Sequence, residues 1–152
     1  MLRHTLSSAL VATGLMIGVA HAFEMGTRDE AVVMVQRVQE RFRSAGEEAT
    51  FKAVNIKEFN DHDLYPFICD FSGVVVGNGG FPALVGKNLI SLRDQDGRHL
   101  TQEMISIAKG PGSGWITYKW PNPQTRKMEE KSAYIERMGD YLVGVGIYPR
   151  KH

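Results

Sequence analysis

Five aromatic and basic side chains in the C-terminal third of the chain are of types that could surround a small molecule. They are Trp115, Tyr118, Trp120, Lys131 and Tyr134. A tyrosine hydroxyl donates or accepts a hydrogen bond, and a tryptophan gives an apolar wall with one N–H donor. A lysine within a strand is costly to bury unless an anion pairs with it. Together these residue types predict the wall of a small-molecule pocket.

Each of the five also has a plainer interpretation. Lys131 follows Glu129 and Glu130 and could be a solvated lysine on the edge of a sheet. On the residues alone that interpretation is favoured. The aromatic side chains could pack in the core or on a sheet, which is the commoner role of aromatic residues in strands.

Strand geometry limits which of the five can share a pocket, because side chains alternate between the two faces of a strand. Trp115 is therefore on the opposite face from Tyr118 and Trp120, and Lys131 is on the opposite face from Tyr134 if that strand is regular. All five can meet only through a β-bulge or a strand end. We favour Tyr118, Trp120, Lys131 and Tyr134 as the ligand-binding set, and Trp115 ranks behind them.

A few residues outside this set have specific expected roles. Asn78 begins a glycine-rich loop and could donate to a ligand from the pocket rim. Gly144 and Gly146 lie on one strand face and predict that a neighbouring backbone or a ligand comes close there. Asp70 is expected to bond to the Ser-Gly turn that follows it, and Cys69 to be a small buried hydrophobic residue.

The sequence contains no legible catalytic or metal site. Asp61, His62 and Asp63 lack accompanying metal ligands, and a solvated loop is the expected structure there. Residues 94–97 are similar to the start of a calcium loop but lack the third acidic ligand and the bidentate glutamate. No nucleophile is recognisably paired with a base. The sequence therefore predicts a protein that is not an enzyme and has no metal or cofactor.

Three strands in a meander are predicted to hold the candidate pocket residues. Residues 115–120 alternate bulky and polar side chains, as a half-buried strand does. A Pro-Asn-Pro turn ends this strand, since proline cannot donate to a β-ladder. Residues 131–138 and 141–148 are joined by a single Gly-Asp pair, which is typical of a hairpin.

The N-terminal half is predicted to begin with an amphipathic helix. Thr27 and Glu30 form a capping box, and apolar residues recur behind it at helical spacing. Gly46 is the expected C-cap, followed by a short helix at 47–54 and a polar loop at 59–64.

A first hairpin is predicted at 65–77 and a second main helix at Leu100–Lys109, so the whole is an α+β domain with one antiparallel sheet of about five strands.

Residues 1–22 are predicted to be a secretory signal peptide. Arg3 precedes an apolar run at 6–20, and the tripeptide at 20–22 fits the A-x-A cleavage pattern. An uncleaved membrane anchor is the alternative, but the run of fifteen residues is shorter than the roughly 20 that span a bilayer. We therefore expect one exported domain, residues 23–152, periplasmic or secreted, with no further membrane span.

Composition excludes two classes of protein. Removing Arg3 from the 18 basic residues leaves 17, which balance the 17 acidic ones, so the mature chain lacks the basic footprint of a nucleic-acid-binding protein. The single cysteine cannot form an internal disulfide, so a disulfide-stapled scaffold is excluded. A hydrophobic fraction of 43% is enough for one core.

Several ordered blocks of the chain resemble the single Cache domain family, over roughly residues 28–148. The blocks are Tyr65, Phe67, Asp70 and Gly73; Asn78; 82–88; 112–115; Tyr118 with 120–123; Lys131, Ser132 and Tyr134; and Gly144, Gly146 and Tyr148. Any one block is weak evidence, but their order along nearly the whole mature chain makes the resemblance specific.

The resemblance implies a PAS-like fold, with a long N-terminal helix packed on a central antiparallel sheet and a pocket for a small extracellular metabolite. In this family a basic residue at the Lys131 block contacts the ligand, and short carboxylates are a frequent ligand class. Members commonly serve as sensing modules of chemoreceptors and histidine kinases. This sequence departs from that pattern because it carries no transmembrane pair and no signalling domain.

Two functions follow as hypotheses. The first is an exported sensor-type domain that binds a small organic anion and passes the signal to a separate membrane receptor, kinase or transporter. The second is a non-catalytic accessory subunit that uses the fold as a scaffold without a small ligand; a closed pocket and an exposed apolar patch on the first helix would mark it. That helix could also form a homodimer, although packing against its own sheet is its expected use.

Overall fold

The computed structural model describes residues 25–149, and every structural statement below refers to these residues. The predicted signal peptide and its cleavage point lie outside the described residues.

Two helices and five strands make up the domain, and neighbouring strands are antiparallel throughout the sheet order β2-β1-β5-β4-β3. The predicted α+β architecture with one antiparallel sheet is confirmed. The elements are α1 Arg28–Asn55, β1 Pro66–Asp70, β2 Val75–Asn78, α2 Leu100–Lys109, β3 Ser113–Pro121, β4 Met128–Met138 and β5 Tyr141–Ile147, with a 3₁₀ turn at Pro82–Leu84.

Helix α1 begins at the predicted capping box. The Thr27 backbone N–H donates to Glu30 Oε2 over 2.8 Å, and the Thr27 hydroxyl oxygen accepts from the Glu30 N–H. The buried side of the helix includes Ala31, Val35 and Val38. Gly46 has φ of 81° and breaks the helix into two arms, so the predicted end at Gly46 and the short helix after it are a kink within one element.

The sheet lies between two layers. Helix α1 covers one face, where the Gln39 side chain donates to Glu136 and Tyr134 packs against the buried helix residues. Helix α2 covers the other face, where Ala133 and Ile135 of β4 belong to its core cluster. Alternate residues of β4 therefore face α1 and α2, which decides the surroundings of each candidate site residue.

Residues 59–64 differ from the predicted polar loop, because Phe59, Asp63 and Leu64 are all buried. The turn is closed by reciprocal backbone hydrogen bonds between Asp61 and Leu64. Its apolar residues Phe59 and Leu64 add to the core beneath α1, and Asp63 between them in sequence is also buried.

The expected roles of the two residues at the end of β1 are confirmed. Asp70 Oδ1 accepts from the backbone N–H groups of Ser72 and Val74, each over 2.9 Å, which holds the turn into β2. Cys69 is buried, and burial raises the pKa of its thiol to about 12, so the thiol stays protonated and unreactive at neutral pH.

Within residues 25–149, neither helix has the combination of length and apolar character that crossing a membrane requires.

Candidate functional site

A cavity of about 60 Å³ lies between helix α2 and the face of the sheet that carries Lys131. Most of its lining residues are apolar, and they come from β1, β2, β5, α2 and the segment between β2 and α2. The polar and amphipathic lining residues are Tyr65, Asn78, Thr101, Tyr118, Trp120 and Lys131. A largely apolar hollow with a few convergent polar groups is the usual anatomy of a small-molecule site.

Lys131 is the central polar residue of this cavity. It lies on β4 opposite Tyr118 of β3, and it is 1% exposed, so the interpretation of a solvated edge lysine is wrong. Its Nζ donates to the Tyr65 hydroxyl over 2.8 Å and lies 4.1 Å from the centroid of the Tyr65 ring. The rings of Phe67 and Tyr148 are 5.3 and 5.5 Å away, so aromatic faces partly replace the water that the ammonium group has lost.

The two glycines of β5 make room for side chains. A Cβ on Gly146 would overlap the aliphatic carbons of Lys131, and one on Gly144 would overlap the Phe67 ring. Both glycines are approached closely, by side chains where the prediction named a backbone or a ligand. Lys131 can fold over β5 only because position 146 has no side chain.

A chain of hydroxyl groups fixes the direction of the hydrogen bond at Lys131. The Tyr148 hydroxyl donates its one proton to the Pro121 carbonyl over 2.9 Å. Tyr65, whose hydroxyl oxygen is 3.0 Å from that of Tyr148, must therefore donate to Tyr148. The Tyr65 oxygen is left to accept from Lys131.

Three residues of the cavity keep hydrogen-bond donors without a protein acceptor among residues 25–149. An ammonium group has three N–H donors, and Lys131 directs only one to a protein acceptor. Asn78 Oδ1 accepts from the N–H groups of Gly80 and Phe81, which leaves the Nδ2 donors of its amide unused. The Tyr118 side chain is buried, and its hydroxyl makes no hydrogen bond to another described residue. An anion entering the cavity would meet all three.

The electrostatics of the cavity favour one negative charge. Among its described lining residues Lys131 carries the only formal charge, and the first two residues of α2, the positive end of that helix, also line it. Burial lowers the pKa of Lys131 to about 7, and the negative charge of Asp63 partly opposes that shift. A bound carboxylate would raise the pKa again and hold the lysine in its ammonium form.

A family model described as the Cache domain matches residues 31–150. The chain belongs to the Cache domain family. It is 28% identical over 108 residues to the methyl-accepting chemotaxis protein McpP of Pseudomonas putida, covering 70% of this chain and 20% of that protein. It is also 28% identical over 122 residues to the sensor histidine kinase MctS of Rhizobium johnstonii, covering 78% of this chain and 26% of the kinase. The chain thus spans about a fifth to a quarter of these curated relatives.

A solved periplasmic sensor domain of a chemotaxis protein has the same fold. It superposes with a TM-score of 0.65 at 25% identity, over 80% of this chain and 90% of that domain. The predicted PAS-like Cache fold, with its N-terminal helix on a five-stranded antiparallel sheet, is confirmed.

The Cache sheet separates the six candidate residues into two groups. Lys131, Tyr118, Trp120 and Asn78 line the cavity. Trp115 and Tyr134 lie on the opposite face, with their ring centroids 5.5 Å apart, so the prediction that they line the same pocket is wrong. The physical reason is that β3 and β4 pair in uninterrupted register from Ser113↔Glu136 to Pro121↔Met128, so no bulge turns either ring towards the cavity.

Trp115 and Tyr134 serve instead at the contact with helix α1. The Arg28 guanidinium lies 3.7 Å from the Trp115 ring centroid, which is a close cation–π contact at the start of that helix. Tyr134 packs against the buried side of the same helix.

Sequence reasoning missed three residues that matter in this Cache domain. Tyr65 accepts from Lys131, and Thr101 reaches the cavity from the first turn of α2. Asp63 is buried beside the site and acts on Lys131 through its charge. Tyr65 belongs to a block typical of the family, and that was the available signal. Nothing in the local pattern of Asp63 distinguishes it from its exposed neighbours Asp61 and His62.

We expect Tyr118→Phe to weaken carboxylate binding by roughly tenfold, which corresponds to one hydrogen bond to a charged group. The substitution removes only the hydroxyl, which has no protein partner in the described structure, so the free energy of unfolding should change little. Isothermal titration calorimetry with acetate and a urea titration measure the two quantities. Unchanged acetate affinity would place the ligand away from Tyr118.

Proposed function

We propose that this Cache domain is a non-catalytic sensor domain that binds a short monocarboxylate in the cavity beneath helix α2. The observation that carries the proposal is the buried Lys131 ammonium, which has a cavity beside it and only one hydrogen bond to protein. A buried cation in this state has no counter-ion in direct contact, and a carboxylate provides both the charge and the acceptors.

The size of the cavity supports a short ligand. A group the size of a water molecule needs about 10–15 Å³ of cavity volume. The cavity of about 60 Å³ therefore holds on the order of five such groups. That matches carboxylates of about four to six non-hydrogen atoms, such as acetate, propionate, lactate or pyruvate. The apolar wall suits their methyl groups.

The charges of the cavity support selectivity among small acids. A dicarboxylate such as succinate would leave its second carboxylate without a cation against apolar side chains, at a cost of several kcal/mol. An amino acid would bring an ammonium group to a cavity whose described lining includes no Asp or Glu. Monocarboxylates are therefore the expected ligands, and both other classes should bind weakly.

The output of the domain is proposed from its relatives. McpP is a chemotaxis receptor, and MctS is a sensor histidine kinase. We propose that this domain, outside the cytoplasm, passes ligand occupancy to a membrane receptor, a kinase or a transporter.

Calorimetric titration of the purified protein with acetate, propionate, lactate, pyruvate, succinate and alanine tests the ligand proposal, with thermal unfolding of the same samples. We expect saturable heats and a raised Tm for the monocarboxylates only. A ligand at a hundredfold excess over its Kd stabilises the folded state by about 2.7 kcal/mol. A protein confirmed to be free of ligand and unaffected by the whole panel would contradict the proposal and favour the accessory scaffold.

The affinity for a monocarboxylate should fall as the pH rises above about 7. Such an acid is ionised above about pH 5, and the Lys131 pKa of about 7 means that the free protein loses the ammonium charge above that pH. Affinity should therefore be highest between about pH 5 and 7 and fall by about tenfold per pH unit above 7. Titrations at pH 6, 7, 8 and 9 measure this slope, and a flat profile would contradict a role for the ammonium.

A further inference from the structure

The start of helix α1 is attached to a buried carboxylate next to the cavity. The backbone N–H of Gly26, which immediately precedes the capping residue Thr27, donates to Asp63 Oδ1 over 2.6 Å. A Cβ on Gly26 would overlap the Leu64 side chain, so the chain before α1 packs tightly on that side chain. This contact joins two segments that are 37 positions apart in sequence.

Asp63 is an unusual group for that position. It is 2% exposed, and its second oxygen, Oδ2, has no hydrogen-bond partner among the described residues. Burial with one unsatisfied oxygen disfavours the charged form of a carboxylate, so its pKa rises and responds to charges nearby. Desolvation raises the pKa of Asp63, while the Gly26 N–H and the charges of His62 and Lys131 lower it.

Asp63 is connected to the cavity in two ways, by its electrostatic interaction with Lys131 and by its position two residues before Tyr65 in the chain. Lys131 is the buried cation that acts on Asp63, and Asp63 in turn acts on the titrations of Tyr65 and Tyr148. Tyr65, two residues after Asp63, is the acceptor of the Lys131 hydrogen bond. An anion placed on Lys131 would cancel much of the positive charge that favours the ionised form of Asp63.

We propose that Asp63 transmits occupancy of the cavity to the start of helix α1. A carboxylate bound at Lys131 neutralises the charge there, Asp63 takes one proton from solvent, and its bond to the Gly26 N–H weakens because a neutral carboxyl is a poorer acceptor than a carboxylate. The inference rests on the proposed carboxylate site and adds to it the route by which binding reaches α1.

Hydrogen exchange of the Gly26 backbone amide, followed by NMR, tests this route. In the wild-type protein at pH 6, where Lys131 is already charged, saturating acetate should speed exchange of the Gly26 amide by at least about fivefold. In Asp63→Asn, which keeps a neutral acceptor, the Gly26 amide should already exchange at the faster rate, and acetate should not change it. The capping-box amide of Glu30, which is held by Thr27, serves as an internal control.

A second measurement uses the wild-type protein alone, in case Asp63→Asn does not fold. The carboxyl ¹³C shift of Asp63, followed against pH, should show a midpoint that rises by about one unit or more with acetate present. Acetate that binds by calorimetry but moves neither the Gly26 exchange nor the Asp63 midpoint would overturn the inference and leave the binding site intact. If no carboxylate binds, the proposed function and this inference both fall.

Discussion

Lys131→Met should abolish carboxylate binding while leaving the protein at least as stable as the wild type at pH 6. Methionine has nearly the same length and no charge, so it fills the space over Gly146 and removes the only formal charge among the described lining residues of the cavity. Removing one partner of a buried charge pair costs about 2–5 kcal/mol of binding free energy. Acetate affinity should therefore fall by at least about 30-fold, and a cost above the lower end of this range would make binding too weak to detect.

The stability half of this prediction follows from the cost of burying the ammonium group. The pKa of Lys131 is lowered from 10.5 to about 7 in the folded protein, so the unfolded chain binds an extra proton between these values. Wild-type stability should therefore rise with pH between about 7 and 10.5, by roughly 1 kcal/mol per pH unit, and stay at its lower value below 7. Replacing a buried charge by an apolar side chain of similar shape is often neutral or stabilising, and it should flatten this rise.

Urea unfolding from pH 6 to 10 and acetate calorimetry measure the two effects. The matched control is Lys119→Met, which removes an exposed lysine from the neighbouring strand β3. That variant should keep the acetate affinity and the pH dependence of stability. Retention of acetate binding by Lys131→Met, or a loss of more than about 2 kcal/mol of stability at pH 6, would contradict the assignment of Lys131 as a ligand-binding cation with no protein counter-ion in contact.

Gly146→Ala should destabilise the domain by about 1–3 kcal/mol and weaken acetate binding by tenfold or more. The new Cβ would occupy the space of the Lys131 aliphatic carbons, and β5 is packed on both sides, between β1 and β4. The lysine must shift, which draws Nζ away from the Tyr65 hydroxyl and out of line with a bound carboxylate.

A double-mutant cycle separates this clash from the general effect of replacing glycine in a strand. In a Lys131→Ala background the overlapping carbons are gone, so Gly146→Ala should cost less than about 0.5 kcal/mol or stabilise slightly. Gly114→Ala is the matched control, because a Cβ there would approach Ile107 Cγ2 only to 3.2 Å. Equal costs of Gly146→Ala in both backgrounds would show that the glycine is needed for the strand itself and not for Lys131.

Much of the fold followed from local sequence patterns. The Thr27 capping box, the apolar stripe behind it and the Gly-Asp pair between β4 and β5 each depend on neighbours within a few positions, and each is found as predicted. The same applies to strand parity. Alternation along β3 and β4 already implied that Trp115 and Tyr134 could not share a face with Lys131 unless a bulge intervened, and the register has none.

The tertiary structure alone decided which face of the sheet is a site and how its charge is held. Period-2 alternation divides side chains into two faces but does not say which face a helix covers tightly and which keeps a hollow. The burial of Lys131 depends on β5 lying beside β4 with a glycine at 146, and on Tyr65, 66 positions away, reaching its ammonium group. The burial of Asp63 depends on Gly26 packing over it. Contacts between such distant segments arise from chain topology, so no window of neighbouring residues contains them.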